Sequence, residues 1–195
     1  MELVLLVLVS YLIGSIPTGF LIGKLVKGVD VRTQGSGNIG ATNVWRSLGP
    51  APALAALAGD VTKGIGAVLL GRYFGPPGFE LITAGAALAG HGWSVFLRFQ
   101  GGKMVATMLG ILLLLPPVAL VAAVATWFST VILTRYVSLA SMLAAVAIPV
   151  AWAVAGAGTN LVVFGTAVTV VVFFKHRSNI IRLVSGTENR FSLRK

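Results

Sequence analysis

Apolar runs long enough to cross a bilayer follow one another from Met1 to Phe174, and no other feature limits the possible folds as strongly. A hydrocarbon layer about 30 Å thick takes roughly 20 apolar residues of helix to cross. Charged residues make up only 10% of the chain, where a soluble domain would carry about a quarter. The reading is an all-α integral membrane protein. The runs leave no room for a separate soluble domain, so residues 1–195 are taken as one membrane domain. The absence of cysteine removes disulfides, thiolate metal sites and thiol nucleophiles together. A net charge of +10 is carried mostly at the ends of the apolar runs rather than on one polar face. That pattern points to anionic headgroups or anionic substrates and away from nucleic acid.

Seven spans are expected. Met1–Val26 has neither a basic n-region nor a small-residue cleavage site and is read as the first span, interrupted near its end by Ser15, Pro17 and Gly19. Pro50 to about Arg72 is the second and carries Asp60 and Lys63; Phe79–Leu97 is the third. The fourth, Met104–Leu115, is too short to cross as one straight helix, and Val118–Thr134, Val137–Gly156 and Thr159–Phe174 complete the set. On this count Lys24, Lys27, Arg32, Arg46, Arg98, Lys103, Arg135 and the basic tail share one side, while the other has only Arg72. The positive-inside rule then puts the N-terminus outside and the C-terminus in the cytoplasm. A short interfacial helix is expected around Ile180–Val184.

Between the first two spans lies a polar, glycine-rich run, Gly35-Ser36-Gly37-Asn38-Ile39-Gly40-Ala41-Thr42-Asn43-Val44-Trp45-Arg46. It has the chemistry of an anion cradle. Gly35, Gly37 and Gly40 let backbone N–H groups converge; Ser36, Asn38, Thr42 and Asn43 add polar side chains; Arg46 adds a planar fork suited to phosphate. A short helix over Asn43–Leu48 would turn its positive end toward the same anion. Gly101-Gly102-Lys103 is a second grip of this kind, with Thr107 one turn beyond. In the tail, His176 and Asn179 stand at i, i+3 and would share a helical face. Asp60 and Lys63, also i, i+3, are expected to neutralise each other inside the second span. His91 ends the third span beside Trp93, as a site residue or a member of an aromatic belt. Ser138 and Ser141 follow Arg135 as weaker candidates.

The carboxylates Glu2, Asp30, Asp60, Glu80 and Glu188 are scattered, so no metal cluster is expected, and no cofactor. His91 is not followed by an aspartate that would orient it, and no G-x-S-x-G elbow occurs. The residues themselves lead to a cytoplasm-facing site for phosphorylated ligands.

Six ordered motifs carry a family resemblance: Gly14–Gly19, the Gly35–Arg46 loop, Asp60–Gly64, Gly90-His91, Gly101–Thr107 and His176–Ile180. Together they resemble the bacterial acyl-phosphate glycerol-3-phosphate acyltransferases, small seven-span enzymes of the bacterial plasma (inner) membrane. The resemblance implies transfer of a fatty acyl group from acyl phosphate to the 1-hydroxyl of glycerol 3-phosphate, yielding lysophosphatidate and inorganic phosphate. It also implies membrane lipid as surroundings and no obligatory protein partner. Ser36, Arg46, Lys103, His176 and Asn179 are then the catalytic candidates. Gly35, Gly37, Asn38, Gly40, Thr42, Asn43, Gly101, Gly102, Thr107 and Ser141 would bind substrate phosphates, with Asp60, Lys63 and His91 in supporting roles. The general base is either His176 or a phosphate oxygen of the substrate. Two positions depart from the family pattern: Met104 stands where a glycine is usual, and Gln100 where a lysine is usual. Methionine reaches a glycine-type conformation only at a cost. The competing class is a transporter or flippase for a phosphorylated metabolite or lipid, and a third is a non-catalytic scaffold.

Overall fold

The computed structural model describes residues 1–191; Arg194 and Lys195, counted above with the basic tail, lie outside the described residues. The described residues form helices joined by short turns, with no strand among them. They fall into two compact units, Met1–Leu114 and the described residues from Leu115 onward.

The first unit holds α1 (Glu2–Ser15), α2 (Thr18–Lys27), α3 (Ala41–Leu48), α4 (Pro50–Phe74), α5 (Phe79–Gly92) and α6 (Val105–Leu112). Two reciprocal glycine contacts bring its long helices together. A Cβ on Gly14 of α1 would fall 2.1 Å from the Ala87 carbonyl oxygen of α5, and one on Gly90 of α5 would fall 2.1 Å from that of Tyr11. Between α4 and α6, Gly64 abuts the Thr107 carbonyl and Gly110 the Val61 carbonyl in the same way. Lipid is as apolar as leucine, so close van der Waals approach of this kind is what holds such helices.

Pro17 separates α1 from α2, where the sequence places an interruption. A broken helix leaves carbonyls that hydrocarbon cannot satisfy. Here Ser94 Oγ donates to the Ser15 oxygen at 2.5 Å and Lys63 Nζ to the Ile16 oxygen at 3.0 Å. Helix α5 stops at Gly92, five residues short of the third span expected to reach Leu97. The chain turns at Trp93, whose carbonyl accepts from Tyr11 Oη at 2.7 Å, and Val95–Leu97 form a 3₁₀ turn.

The second unit holds α7 (Pro117–Thr134), α8 (Val137–Val154), α9 (Thr159–Lys175) and α10 (Arg177–Val184). Helices α7 and α8 form a hairpin whose turn is made by Arg135, with φ of 63°. Helix α9 passes into α10 through a 61° bend at His176.

By length and composition, the Glu2–Lys27 run, α4, α7 and α8 are long and apolar enough to cross a membrane, and α9 with α10 makes a fifth if the bent pair is one span. The chain is a multi-pass membrane protein. Helix α5, with 14 residues, and α6, with 8, fall short of a free spanning helix.

Candidate functional site

The glycine-rich run is a structured loop built around one side chain. Val31, Ile39, Val44 and Leu48 sink into an apolar cluster with Ala53, Ala56 and Leu97, so both ends of the loop are anchored. Between them Asn43, 1% exposed, accepts the Ser36 N–H on Oδ1 at 2.8 Å. Its Nδ2 points to the carbonyls of Val31, Gln34 and Asn38 at 2.8, 3.1 and 2.8 Å. An amide has two N–H groups, so Asn43 is fully engaged in shaping the loop rather than presenting a donor to a ligand. Asn38 is used similarly, its Oδ1 accepting from the Gly40 N–H at 2.9 Å. Gly35 and Gly37 take positive φ, 55° and 71°, whereas Gly40 does not and instead precedes the first turn of α3.

Helix α3 begins at Ala41, two residues before the expected start, with the Asn43 and Val44 N–H groups closing on the Gly40 carbonyl at 2.9 and 3.2 Å. Ser36 in the loop, Thr42 in the first turn of α3 and Arg46 in its last turn are all half-buried. Asp30 flanks the loop without opposing an anion. Its carboxylate is clamped by Arg32 at 2.6 Å, and that guanidinium lowers its pKa to about 2.

The second grip is seated on α5. Gly102 N–H donates to the His91 carbonyl at 2.9 Å, and Lys103 leads into α6 through Met104. Met104 does adopt the left-handed conformation, with φ of 70°, while its side chain is 2% exposed and packs its methyl against Gly92. Packing thus offsets a backbone cost of about 1–2 kcal/mol. Arg98 and Phe99, just upstream, also have positive φ. Thr107 is wholly buried in α6, and its carbonyl forms the floor against Gly64.

Asp60, Lys63 and His91 are all at most 5% exposed, so His91 is not an aromatic-belt residue. Lys63 Nζ lies 2.8 Å from Asp60 Oδ1, the mutual neutralisation expected. Thr18 Oγ1 donates to the same oxygen at 2.5 Å, and His91 Nδ1 faces it at 3.5 Å. The aspartate that is missing after His91 in sequence is therefore supplied from α4. Nothing local in the chain signals this.

In the second unit, His176 is the hinge between α9 and α10, and its carbonyl accepts the Asn179 N–H at 2.8 Å as α10 begins. Its Nδ1 contacts the Val172 carbonyl at 2.8 Å. A carbonyl only accepts, so Nδ1 carries the proton of this contact. Asn179 Nδ2 donates to Glu188 Oε1 at 2.7 Å, as does Ser138 Oγ, while Arg182 Nε meets Oε2 at 2.7 Å. Burial pushes the Glu188 carboxyl up, but these bonds outweigh it and the net shift is downward. Glu188, counted in the sequence only as one scattered carboxylate, is the organiser of the tail. Ser141 Oγ donates to the Val137 carbonyl at 2.8 Å and accepts from Trp127 Nε1 at 3.4 Å, a helix-packing arrangement. Among the described residues no three His, Cys, Asp or Glu side chains gather as metal ligands.

Comparison with known proteins agrees with the motifs. The family described as glycerol-3-phosphate acyltransferase matches residues 4–186. A glycerol-3-phosphate acyltransferase of Desulforudis audaxviator is 60% identical over 195 residues, covering 100% of this chain and 98% of its own. One of Desulforamulus reducens is 45% identical, covering 98% and 96%. Among solved structures, PlsY (YgiH), an integral membrane glycerol 3-phosphate acyltransferase in its glycerol 3-phosphate form, superposes with a TM-score of 0.92 at 38% identity, covering 98% of this chain and 96% of that one. The chain belongs to the glycerol-3-phosphate acyltransferase family.

Proposed function

We propose that this protein transfers a fatty acyl group from acyl phosphate to the 1-hydroxyl of glycerol 3-phosphate, giving lysophosphatidate and inorganic phosphate, at a cytoplasm-facing site in the bacterial inner membrane. The observation that carries the acyltransfer is the 60% identity to a glycerol-3-phosphate acyltransferase across the whole chain. The 38%-identical PlsY is described in a glycerol 3-phosphate form and in a lysophosphatidic acid form, which supports that acceptor and that product. The family match runs from residue 4 to 186, through both units, in keeping with one functional domain. The seven-span arrangement with the N-terminus outside belongs to this reading. It is supported by the loop charges and takes α5 and α6 as short spans enclosed by their neighbours.

The two glycine-rich segments support acyl phosphate as donor, because both substrates then bring a phosphate. Ser36, Thr42 and Arg46, with the α3 N-terminus, hold one anionic group, and Lys103, carried by Gly101 and Gly102, supplies the second positive charge. Asn43 and Asn38 keep the first loop in shape. The hydroxyl oxygen of glycerol 3-phosphate attacks the acyl carbonyl carbon, the carbon–oxygen bond to phosphate breaks, and phosphate leaves. Phosphate is a good leaving group, so no covalent enzyme intermediate is needed. Proximity and stabilisation of charge moving onto the leaving group do the work. The hydroxyl proton goes to His176 or to a substrate phosphate oxygen. A pH–rate profile of His176→Gln separates the two: loss of the limb near neutral pH assigns the histidine, and an unchanged limb assigns the phosphate.

The donor is tested by supplying purified protein with glycerol 3-phosphate and either acyl phosphate or an acyl thioester. Lysophosphatidate and phosphate appearing one for one, from acyl phosphate alone, is expected. Turnover of the thioester at a comparable rate would overturn the donor assignment.

A further inference from the structure

The buried Asp60 and His91 lie directly beneath the segment that carries Lys103. Two donors meet Asp60 Oδ1, Thr18 at the start of α2 and Lys63 one turn along α4, and His91 Nδ1 at the end of α5 faces the same oxygen at 3.5 Å. At 3.5 Å the last contact is electrostatic rather than a well-formed hydrogen bond, yet it fixes which edge of the ring faces the carboxylate. The opposite edge then faces Gly102. A Cβ on Gly102 would fall 2.1 Å from His91 Nε2 and 2.9 Å from Cε1, so the glycine rests on the imidazole itself. The main chain is equally close. Gly102 N–H donates to the His91 carbonyl, and a Cβ on Gly101 would fall 2.1 Å from that same oxygen. One residue further on, the Met104 methyl fills the space above Gly92.

We infer that Asp60 and His91 are a positioning pair for the Gly101-Gly102-Lys103 segment: Asp60 orients the imidazole, and the imidazole edge sets where Gly102, and hence Lys103, sits. This rests on the reading above in which Lys103 grips a substrate phosphate. Neither residue needs to touch substrate to act. A displacement of about 1 Å at a group that orients a reactant costs on the order of a hundredfold in rate.

The test is a rescue. Gly102→Ala puts a methyl where Nε2 stands and is expected to lower kcat/KM for glycerol 3-phosphate acylation ten- to hundredfold. His91→Ala removes the ring and is expected to lose about tenfold alone. The double variant Gly102→Ala/His91→Ala, with the ring gone and the methyl in its place, is expected to recover at least fivefold over Gly102→Ala. A double variant no better than the product of the two single losses overturns the inference. Thermal unfolding of each variant in detergent runs alongside. If Gly102→Ala does not fold, His91→Asn, which keeps a polar group toward Asp60 but lacks the edge under Gly102, takes its place. A tenfold loss of kcat/KM at unchanged unfolding temperature then supports the inference, and retained activity or a loss that tracks unfolding overturns it. Lys103→Met separates the two levels. Full activity in that variant refutes the phosphate role of Lys103, whereas lost activity there without rescue at Gly102 refutes only the positioning pair.

Discussion

Removing one member of the Asp60–Lys63 pair should be far more damaging than removing both. The two groups are 2.8 Å apart with side chains 2% and 4% exposed. At an effective dielectric of about 20 their attraction is roughly 6 kcal/mol, most of which offsets the cost of burying two ions. Lys63→Met leaves a buried carboxylate without its cation, at about 3–5 kcal/mol. It also takes the donor from the Ile16 carbonyl at the Pro17 break, at roughly 1–3 kcal/mol more. Asp60→Asn strands the ammonium instead, again at about 3–5 kcal/mol. In Asp60→Asn/Lys63→Met no charge is stranded, and the carbonyl penalty is what remains. The coupling in the cycle is therefore expected to be about 3 kcal/mol or more, in the direction of rescue. At about 2–4 °C per kcal/mol for a chain of this size, Asp60→Asn should unfold roughly 6–20 °C and Lys63→Met roughly 8–32 °C below the parent, and the double variant should lie above both. Thermal unfolding of the four proteins in one detergent measures this. A double variant whose loss equals the sum of the singles would refute the pairing argument.

Asn43→Asp keeps the acceptor for the Ser36 N–H but loses both amide donors, and should cost about 1–3 kcal/mol with a sharp fall in activity; unfolding temperature and initial rate measured together check it. Met104→Gly relieves a positive φ worth about 1–2 kcal/mol but gives up a buried side chain worth about 1.5–3 kcal/mol, so a small net loss of stability is expected, and a clear gain would show that strain outweighs packing there. Glu188 has its carboxyl pKa lowered in the folded protein, so its contribution is complete above the unfolded value near 4.5 and is lost as pH falls below it. The unfolding temperature of the parent should therefore drop below about pH 4.5 more steeply than that of Glu188→Gln, and parallel curves would remove the tail cluster from the account.

What could be read from the chain was whatever local composition determines. The apolar runs announce membrane helices, Pro17 announces the break in the first, and the glycines announce the non-helical segments at Gly35–Gly40 and Gly101-Gly102. The end of α5 was not legible, because Trp93 and Ser94 leave the helix to meet Tyr11 and Ser15, partners about eighty residues away. The role of Asn43 was missed for a related reason. A side-chain amide among glycines reads as a ligand donor, and only the folded loop shows three carbonyls already waiting for it. His91 and Glu188 were judged by their immediate neighbours in sequence, whereas Asp60 reaches the one across helices and Ser138 and Asn179 reach the other. Long-range pairing of single polar residues leaves no periodic trace in a sequence this apolar.

The central claim, that the Gly35–Arg46 loop grips a phosphate in an acyl transfer, is tested most directly by Arg46→Ala. In purified protein with acyl phosphate and glycerol 3-phosphate, lysophosphatidate formation should fall at least a hundredfold, with the unfolding temperature within a few degrees of the parent. Arg46→Ala that forms lysophosphatidate at the parent's rate would contradict the account.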